Sequence, residues 1–307
     1  MISNVFNSKI ISSPFNPNNR TSYGFWRDNK LQNYPENIGD IVVEINDPRK
    51  LSYVEYQKLL QVCRKTNMVL YSSKTGCNPD TEIPLAIGRR FVGQKLDHNW
   101  LADDTGISSL TVATQGIRQQ FIPYTNRAIQ WHTDGYYNSQ QQQIRALFLH
   151  VVQRAALGGE NALMDHEIAY ILLREKNPDY IRALMEPTVM TIPARIEEGK
   201  IARAEESGPI FSVDASGDLH MRYTIRTNNV IWSNDVLTQE ALEYLQKILN
   251  GYSPFIIRGL LEPGMGLISN NILHNREAFT DNEIHERHFY RVRYFNRIKG
   301  TSLFDNI

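Results

Sequence analysis

The chain has 307 residues, 41% of them hydrophobic and 21% charged, and its 33 basic side chains balance 33 acidic ones to a formal net charge of zero. Such a composition excludes a disordered, fibrous or repetitive chain and supplies enough apolar surface for a full core. It also gives no global attraction to nucleic acid or an anionic membrane, so recognition has to be local and a small-molecule partner is expected.

The opening "MISNVFNSKIISSPFNPNNR" lacks an apolar core behind a basic start, and no run of about eighteen apolar residues follows anywhere, so a cytoplasmic protein without a membrane span is expected. The only two cysteines, Cys63 and Cys77, fit neither a redox pair nor a zinc knuckle and read as reduced thiols. Residues 51–65, "LSYVEYQKLLQVCRK", repeat apolar side chains at helical spacing, with Ser52 placed to cap the start. "MVLYSS" at 68–73 reads as a buried strand, and 74–120, broken by Gly and Pro, as loops and short helices.

From residue 129 short strand-like runs recur: "IQWHTD", "ALFLHVVQ", "VMTIPA", "IFSVD", "LHMRYT", "FIIRGLL", "GLISNNILH" and "RHFYRVRYF". The turn residues of "VDASGDLH" predict a hairpin, whereas "HEIAYILLREKN", "DYIRALM" and "TQEALEYLQKILNG" predict helices inserted among the strands, the last ending near Gly251. Strands and helices do not alternate regularly. The fold expected is therefore mainly β with flanking helices, a double-stranded β-helix (jelly roll) rather than a parallel α/β sheet, in a single domain spanning 1–307. "SQQQQI" at 139–144 falls where a lid loop or a plain polar loop would sit.

Within "IQWHTDGYYN", positions i and i+2 of a strand share a face, so His132 and Asp134 can aim at one ion. Eight histidines and 33 acids in 307 positions give about one such pair by chance, so the pair alone decides nothing. A third ligand is available in His274 of "PGMGLISNNILHNREAF". Two imidazoles and a carboxylate on one face of an octahedral ion form the facial triad of non-haem iron(II) oxygenases, with open positions for a chelating cosubstrate and O2. A structural zinc site would close its shell instead. 2-Oxoglutarate would chelate through its oxo and C1 carboxylate oxygens, and its far carboxylate needs a cation. Arg287, thirteen residues beyond His274, begins a strand whose odd positions Arg287, Phe289, Arg291 and Arg293 share a face, and a guanidinium suits that carboxylate.

These pieces resemble the taurine dioxygenase-like (TauD/TfdA) family of iron(II)/2-oxoglutarate-dependent oxygenases, with similarity to its gamma-butyrobetaine hydroxylase and clavaminate synthase-like branch. The motifs that carry the resemblance are "TNRAIQWHTDGYY", "LGGENALMDHEIAYILL" and "PGMGLISNNILHNREAF" followed by "RHFYRVRYF", in one order, over residues 115–297. The resemblance implies that His132, Asp134 and His274 hold iron and that Arg287 binds 2-oxoglutarate. The "GGE" segment usually ends in a threonine touching that cosubstrate; Asn161 stands there, and its amide can still donate. Arg291 is similarly placed to a second arginine that reaches cosubstrate or an anionic substrate, the alternative being a salt bridge. Tyr136, and beside it Tyr137, can line a substrate mouth or simply pack. Arg222 and Arg226 can supply positive charge to the pocket or lie in solvent.

The activity implied is a dioxygenase using Fe(II), 2-oxoglutarate and O2, an oxidoreductase that hydroxylates an unactivated C–H of a small carboxylate-bearing or amino-acid-like molecule. Keeping Asp134 argues against halogenation, which needs that carboxylate gone. Two other readings use the same residues: a non-catalytic jelly-roll sensor or scaffold binding metal and 2-oxoglutarate, and a zinc hydrolase. An HxxH at His285 and His288 is a competing metal motif, while His98, His150, His166 and His220 have surface or core roles.

Overall fold

The structure is a computed structural model that describes residues 9–99, 101–197, 199–226, 230–251 and 253–305. Its two principal sheets are built from ten strands: β1 (Val42–Ile45), β2 (Met68–Ser73), β3 (Ser108–Leu110), β4 (Ile129–His132), β5 (Ala146–Gln153), β6 (Asn161–Met164), β7 (Ile257–Gly259), β8 (Met265–Ser269), β9 (Leu273–Arg276) and β10 (His288–Tyr294). The major sheet runs β1-β2-β8-β5-β10-β3 and the minor one β7-β6-β9-β4. Pairing is antiparallel except for β1 with β2.

Helices α1 (Arg20–Leu31), α2 (Tyr53–Thr66), α3 (Glu82–Phe91), α4 (His166–Lys176), α5 (Pro178–Leu184) and α6 (Val236–Asn250) flank the sheets. The period of two in β10 decides the layering. Tyr290, Val292 and Tyr294 pack outward with Leu59, Leu60, Ile87 and Phe91 of α2 and α3. Phe289 points inward, to a cluster shared with Leu163, Val151 and Leu267 between the sheets. On the far side of the minor sheet Trp131, Ala162, Met164 and Leu273 pack against α4, α5 and α6. Both sheets thus bury both faces, which is the layered jelly roll expected.

Local chemistry sets the element ends. Ser52 caps α2 in a capping box with Glu55, and Asn67 closes it in the left-handed region at φ 56°. The buried stripe of α2 is Leu59, Leu60, Cys63 and Thr66, while Val54, apolar and in the same run, is exposed. Phe211–Val213 pairs with Leu219–Met221 as the predicted hairpin. Asp165 caps α4, and its carboxylate and that of Glu167 hold the buried Lys30 of α1 at 2.7 and 2.6 Å.

One expected strand is two. The run 266–274 breaks at Asn270 and Asn271, the latter at φ 53°, so the chain leaves the major sheet at Ser269 and enters the minor sheet at Leu273. Asn270 spends its amide on Asn67 and Thr301. Among the described residues no helix is long and apolar enough to cross a membrane.

Candidate metal centre

β4 and β9 pair so that His132 stands directly opposite His274. Their rings lie 4.2 Å apart between centroids on the inner face of the minor sheet. Each imidazole shares its Nδ1 with the carbonyl two residues back in its own chain, Gln130 at 2.9 Å and Ile272 at 3.0 Å. That contact makes Nδ1 the protonated nitrogen and leaves Nε2 as a free lone pair. Asp134 lies just past β4, its Oδ1 3.4 Å from His132 Nε2 and 3.8 Å from His274 Nε2. Ligand atoms of the three residues fall within 4.8 Å of one another, the one such cluster among the described residues. Adjacent positions on an octahedral ion with bonds of about 2.1 Å are about 3 Å apart, so two nitrogens and one oxygen in this arrangement suit one ion.

Electrostatics favour the metal-binding protonation states. Burial alone would raise the Asp134 carboxyl, but Arg291 first, then His132, Arg293 and His274, hold it well below the usual carboxylate range. Its Oδ2 sits 3.2 Å from Arg291 Nη1 and 3.7 Å from Arg293 Nη1. Burial and then the neighbouring His132 push His274 down to about 4, so its ring is neutral near pH 7.

Asp134 is also fixed through its main chain. The Asn271 side chain accepts from the Asp134 N–H at 2.8 Å and donates to the carbonyls of Asp134 and Ile144 at 2.9 and 2.6 Å. Asn271 was not foreseen as part of the site, although two adjacent asparagines in an apolar run mark the place where the run breaks.

A second polar group lies farther along the same face. Asn161 pairs with Arg276 in register, two positions from the Leu163–His274 pair, and its Nδ2 is buried with no hydrogen-bond partner among the described residues. Arg287 is 5% exposed; its guanidinium rests 3.7 Å from the Phe289 ring centroid, and no described carboxylate lies within ion-pair distance. Burial, and then the nearby Arg276, bring Arg287 down to about 9 against the pull of Asp281. Arg276 stacks on the opposite partner of this group, Phe279, at 4.7 Å, and donates to the carbonyls of Thr125 and Arg127. Gly158 and Gly159, at φ 72° and 77°, let the chain pass close by. A Cβ on Gly158 would sit 2.4 Å from the Ala278 carbonyl oxygen, and one on Gly159 4.0 Å from Arg287 Nε. A buried guanidinium without a counter-charge is costly, so this cradle suits an incoming carboxylate.

The remaining expectations divide. Arg291 reaches the triad, and its contact is the Asp134 ion pair. Tyr136 is half-buried and packs on Tyr137 at 5.2 Å; it is Tyr137 whose hydroxyl accepts from Arg293, at 2.9 Å. Arg293 also pairs with Asp97, so the loop region 74–120 contributes a side chain here. Arg222 is 5% exposed and donates to the main-chain carbonyls of Tyr136, Met190, Gly208 and Glu206. Four of its five N–H groups are thus spent on holding loops together. His288 bonds Ser109 Oγ at 2.8 Å, and among the described residues neither it nor His285 joins a metal-holding cluster.

The sequence matches the taurine catabolism dioxygenase TauD, TfdA family over residues 42–293. A curated relative, uridine-5'-phosphate dioxygenase of Amycolatopsis sp, is 29% identical over 170 residues, covering 53% of this chain and 60% of the relative. Among solved structures, asparagine oxygenase with Fe(II), 2S,3S-3-hydroxyasparagine and succinate superposes with a TM-score of 0.56 at 14% identity, over 78% of this chain and 79% of that one. A taurine dioxygenase from Burkholderia xenovorans gives 0.53 at 17% identity, over 83% and 87%. The two structural likenesses establish the shared fold.

Proposed function

The chain belongs to the TauD, TfdA dioxygenase family, and on that premise we propose that it is an iron(II)- and 2-oxoglutarate-dependent dioxygenase, residues 1–307 forming one oxygenase domain, acting on a small carboxylate-bearing or amino-acid-like molecule. The observation that carries the reading is the pairing of His132 and His274 across one ladder, each with Nε2 free and facing the Asp134 carboxylate. The relatives named for uridine-5'-phosphate and for asparagine fit a small polar substrate. Cys63 and Cys77 as free thiols fit the cytoplasm.

In this reading His132, Asp134 and His274 hold the iron. When bound there, iron supplies the oxidising chemistry, in which O2 and 2-oxoglutarate become succinate and CO2 while a substrate C–H becomes C–OH. The chain's own part is positional. The Gln130 and Ile272 carbonyls fix the ring tautomers, and Asn271 fixes the main chain of Asp134. Arg291 and Arg293 keep that carboxylate ionised. Arg287 and the Asn161 amide receive the far carboxylate of the cosubstrate in a water-poor pocket, where a charge-assisted pair is strongest. Among the described residues the Arg287 guanidinium has no ion-pair partner and Asn161 Nδ2 no hydrogen-bond partner, and that favours a catalytic site over a metal-only zinc site.

Anaerobic addition of Fe(II) and 2-oxoglutarate should produce the weak visible charge-transfer band of the chelate at one iron per chain. Succinate release against a panel of amino-acid-like compounds then identifies the substrate. Absence of the band in the intact protein would overturn the reading.

A further inference from the structure

Beyond the triad and the cradle, positive charge gathers around Tyr136 and Tyr137. Tyr137 reaches the triad through Arg293, which lies 3.7 Å from Asp134 Oδ2. Tyr136 reaches it through Thr224, its side-chain hydrogen-bond partner, which bridges the main chain of His132. On the outer side of this pair Arg203 stands 5.7 Å from the Tyr137 ring centroid. Arg226, two residues past Thr224, is near enough to Tyr136 to oppose the rise that burial imposes on its hydroxyl.

Arg203 and Arg222 make an informative contrast. Arg222 spends every nitrogen on carbonyls and is a structural residue. Arg203 makes one side-chain hydrogen bond, Nη2 to the Pro193 carbonyl at 2.6 Å, and its Nε is buried without a hydrogen-bond partner among the described residues. Burial leads in lowering Arg203, Arg195 adds to it, and the groups opposing are Tyr136 and Tyr137 rather than a carboxylate. Of the nearby acids, Glu197 pairs with Arg195, Asp97 pairs with Arg293, Glu206 accepts from the Gln140 N–H, and Glu205 is exposed to solvent. Asp134 and Asp97 are taken up by Arg291 and Arg293, which leaves Arg203 and Arg226 without an ion pair among the described residues.

We propose that Arg203 and Arg226, flanking the Tyr136–Tyr137 pair, form a subsite for an oxyanion carried by the substrate, a phosphate monoester or a carboxylate, at the end of the molecule remote from the bond that reacts. This rests on the dioxygenase reading for the identity of the neighbouring centre. Two guanidiniums offer forked donors to the oxygens, and the tyrosine rings supply a flat wall for the body of the molecule. Arg291 stays with Asp134, so the substrate's charge is read away from the metal.

The test is calorimetric titration of the full-length, metal-free protein with phenyl phosphate, benzoate and phenol. Wild type should bind the better anion at least about tenfold more tightly than phenol, and Arg203→Ala and Arg226→Ala should each remove about tenfold of that preference while phenol binding stays unchanged. Arg203→Lys should recover part of it. Preference for phenyl phosphate marks a phosphate ester, and preference for benzoate a carboxylate. Equal binding of anions and phenol, or anion binding unchanged in both alanine variants, would overturn the proposal. The Fe(II)/2-oxoglutarate band, measured in parallel, reports on folding of the variants. Its absence in wild type would count against the dioxygenase reading while the titrations still decide the subsite.

Discussion

Replacing Asn271 should damage both the fold and the metal site, by amounts the structure allows to be worked out. Its side chain makes three hydrogen bonds, at 2.8, 2.9 and 2.6 Å, and the residue is 2% exposed. At about 1 kcal/mol net for each, truncation to alanine forfeits about 3 kcal/mol. The φ of 53° adds about 1 kcal/mol, because asparagine tolerates the left-handed region better than alanine does. Asn271→Ala should therefore lose about 4 kcal/mol in urea unfolding monitored by circular dichroism. Asn271→Gly, freed of the backbone strain, should lose about 1 kcal/mol less. Asn271→Asp keeps the acceptor for the Asp134 N–H but loses both donations. In all three the Asp134 carboxylate is less well placed, so Fe(II) should bind 10- to 100-fold more weakly, on the order seen when a ligand loses its orienting partner. An alanine variant within about 0.5 kcal/mol of wild type and with unchanged Fe(II) affinity would refute the reasoning.

Three further outcomes are expected. His132→Ala or Asp134→Ala should abolish both the chelate band and succinate release, and wild-type turnover in the Asp134 variant would remove that ligand from the scheme. Arg287→Ala should raise the 2-oxoglutarate concentration for half-maximal turnover on the order of 100-fold while leaving Fe(II) binding within about twofold, since it removes a buried charge-assisted pair worth about 3 kcal/mol. Burial, and then His288, lower His150 from its usual 6.5 to about 4, with Tyr71 on its Nδ1 at 2.8 Å. The unfolded chain therefore takes up a proton that the folded one refuses. Stability from this group is full above about pH 6.5 and falls as pH drops towards 4, by a total on the order of 3 kcal/mol. His150→Gln should flatten that part of the pH–stability curve, and an unchanged slope would exclude the assignment.

The parts of the molecule readable from sequence are those where period and burial agree. The run 146–153 forms β5 over its whole length, and the even and odd positions of β10 separate into the faces expected. His132, Asp134 and His274 lie together, the three residues that the family resemblance singles out. What escaped depends on tertiary partners. Helix α1 has few apolar residues to announce it and is held by Lys30 on Asp165 and Glu167. The break inside 266–274 follows from one left-handed asparagine, which an apolar count cannot register. Arg222 and Arg291 look alike in sequence. The structure separates them by what surrounds each guanidinium: main-chain carbonyls in one case, a carboxylate in the other.

Placing two imidazoles face to face on neighbouring strands makes the gap between them a property of the backbone rather than of side-chain packing. An odd-numbered insertion within β4 or β9 would turn one ring to the far side of the sheet, next to Trp131 and the helices. Loops elsewhere can lengthen or shorten freely, but those two segments must preserve parity. An engineer grafting new entrances onto this scaffold has that single arithmetic restriction to respect.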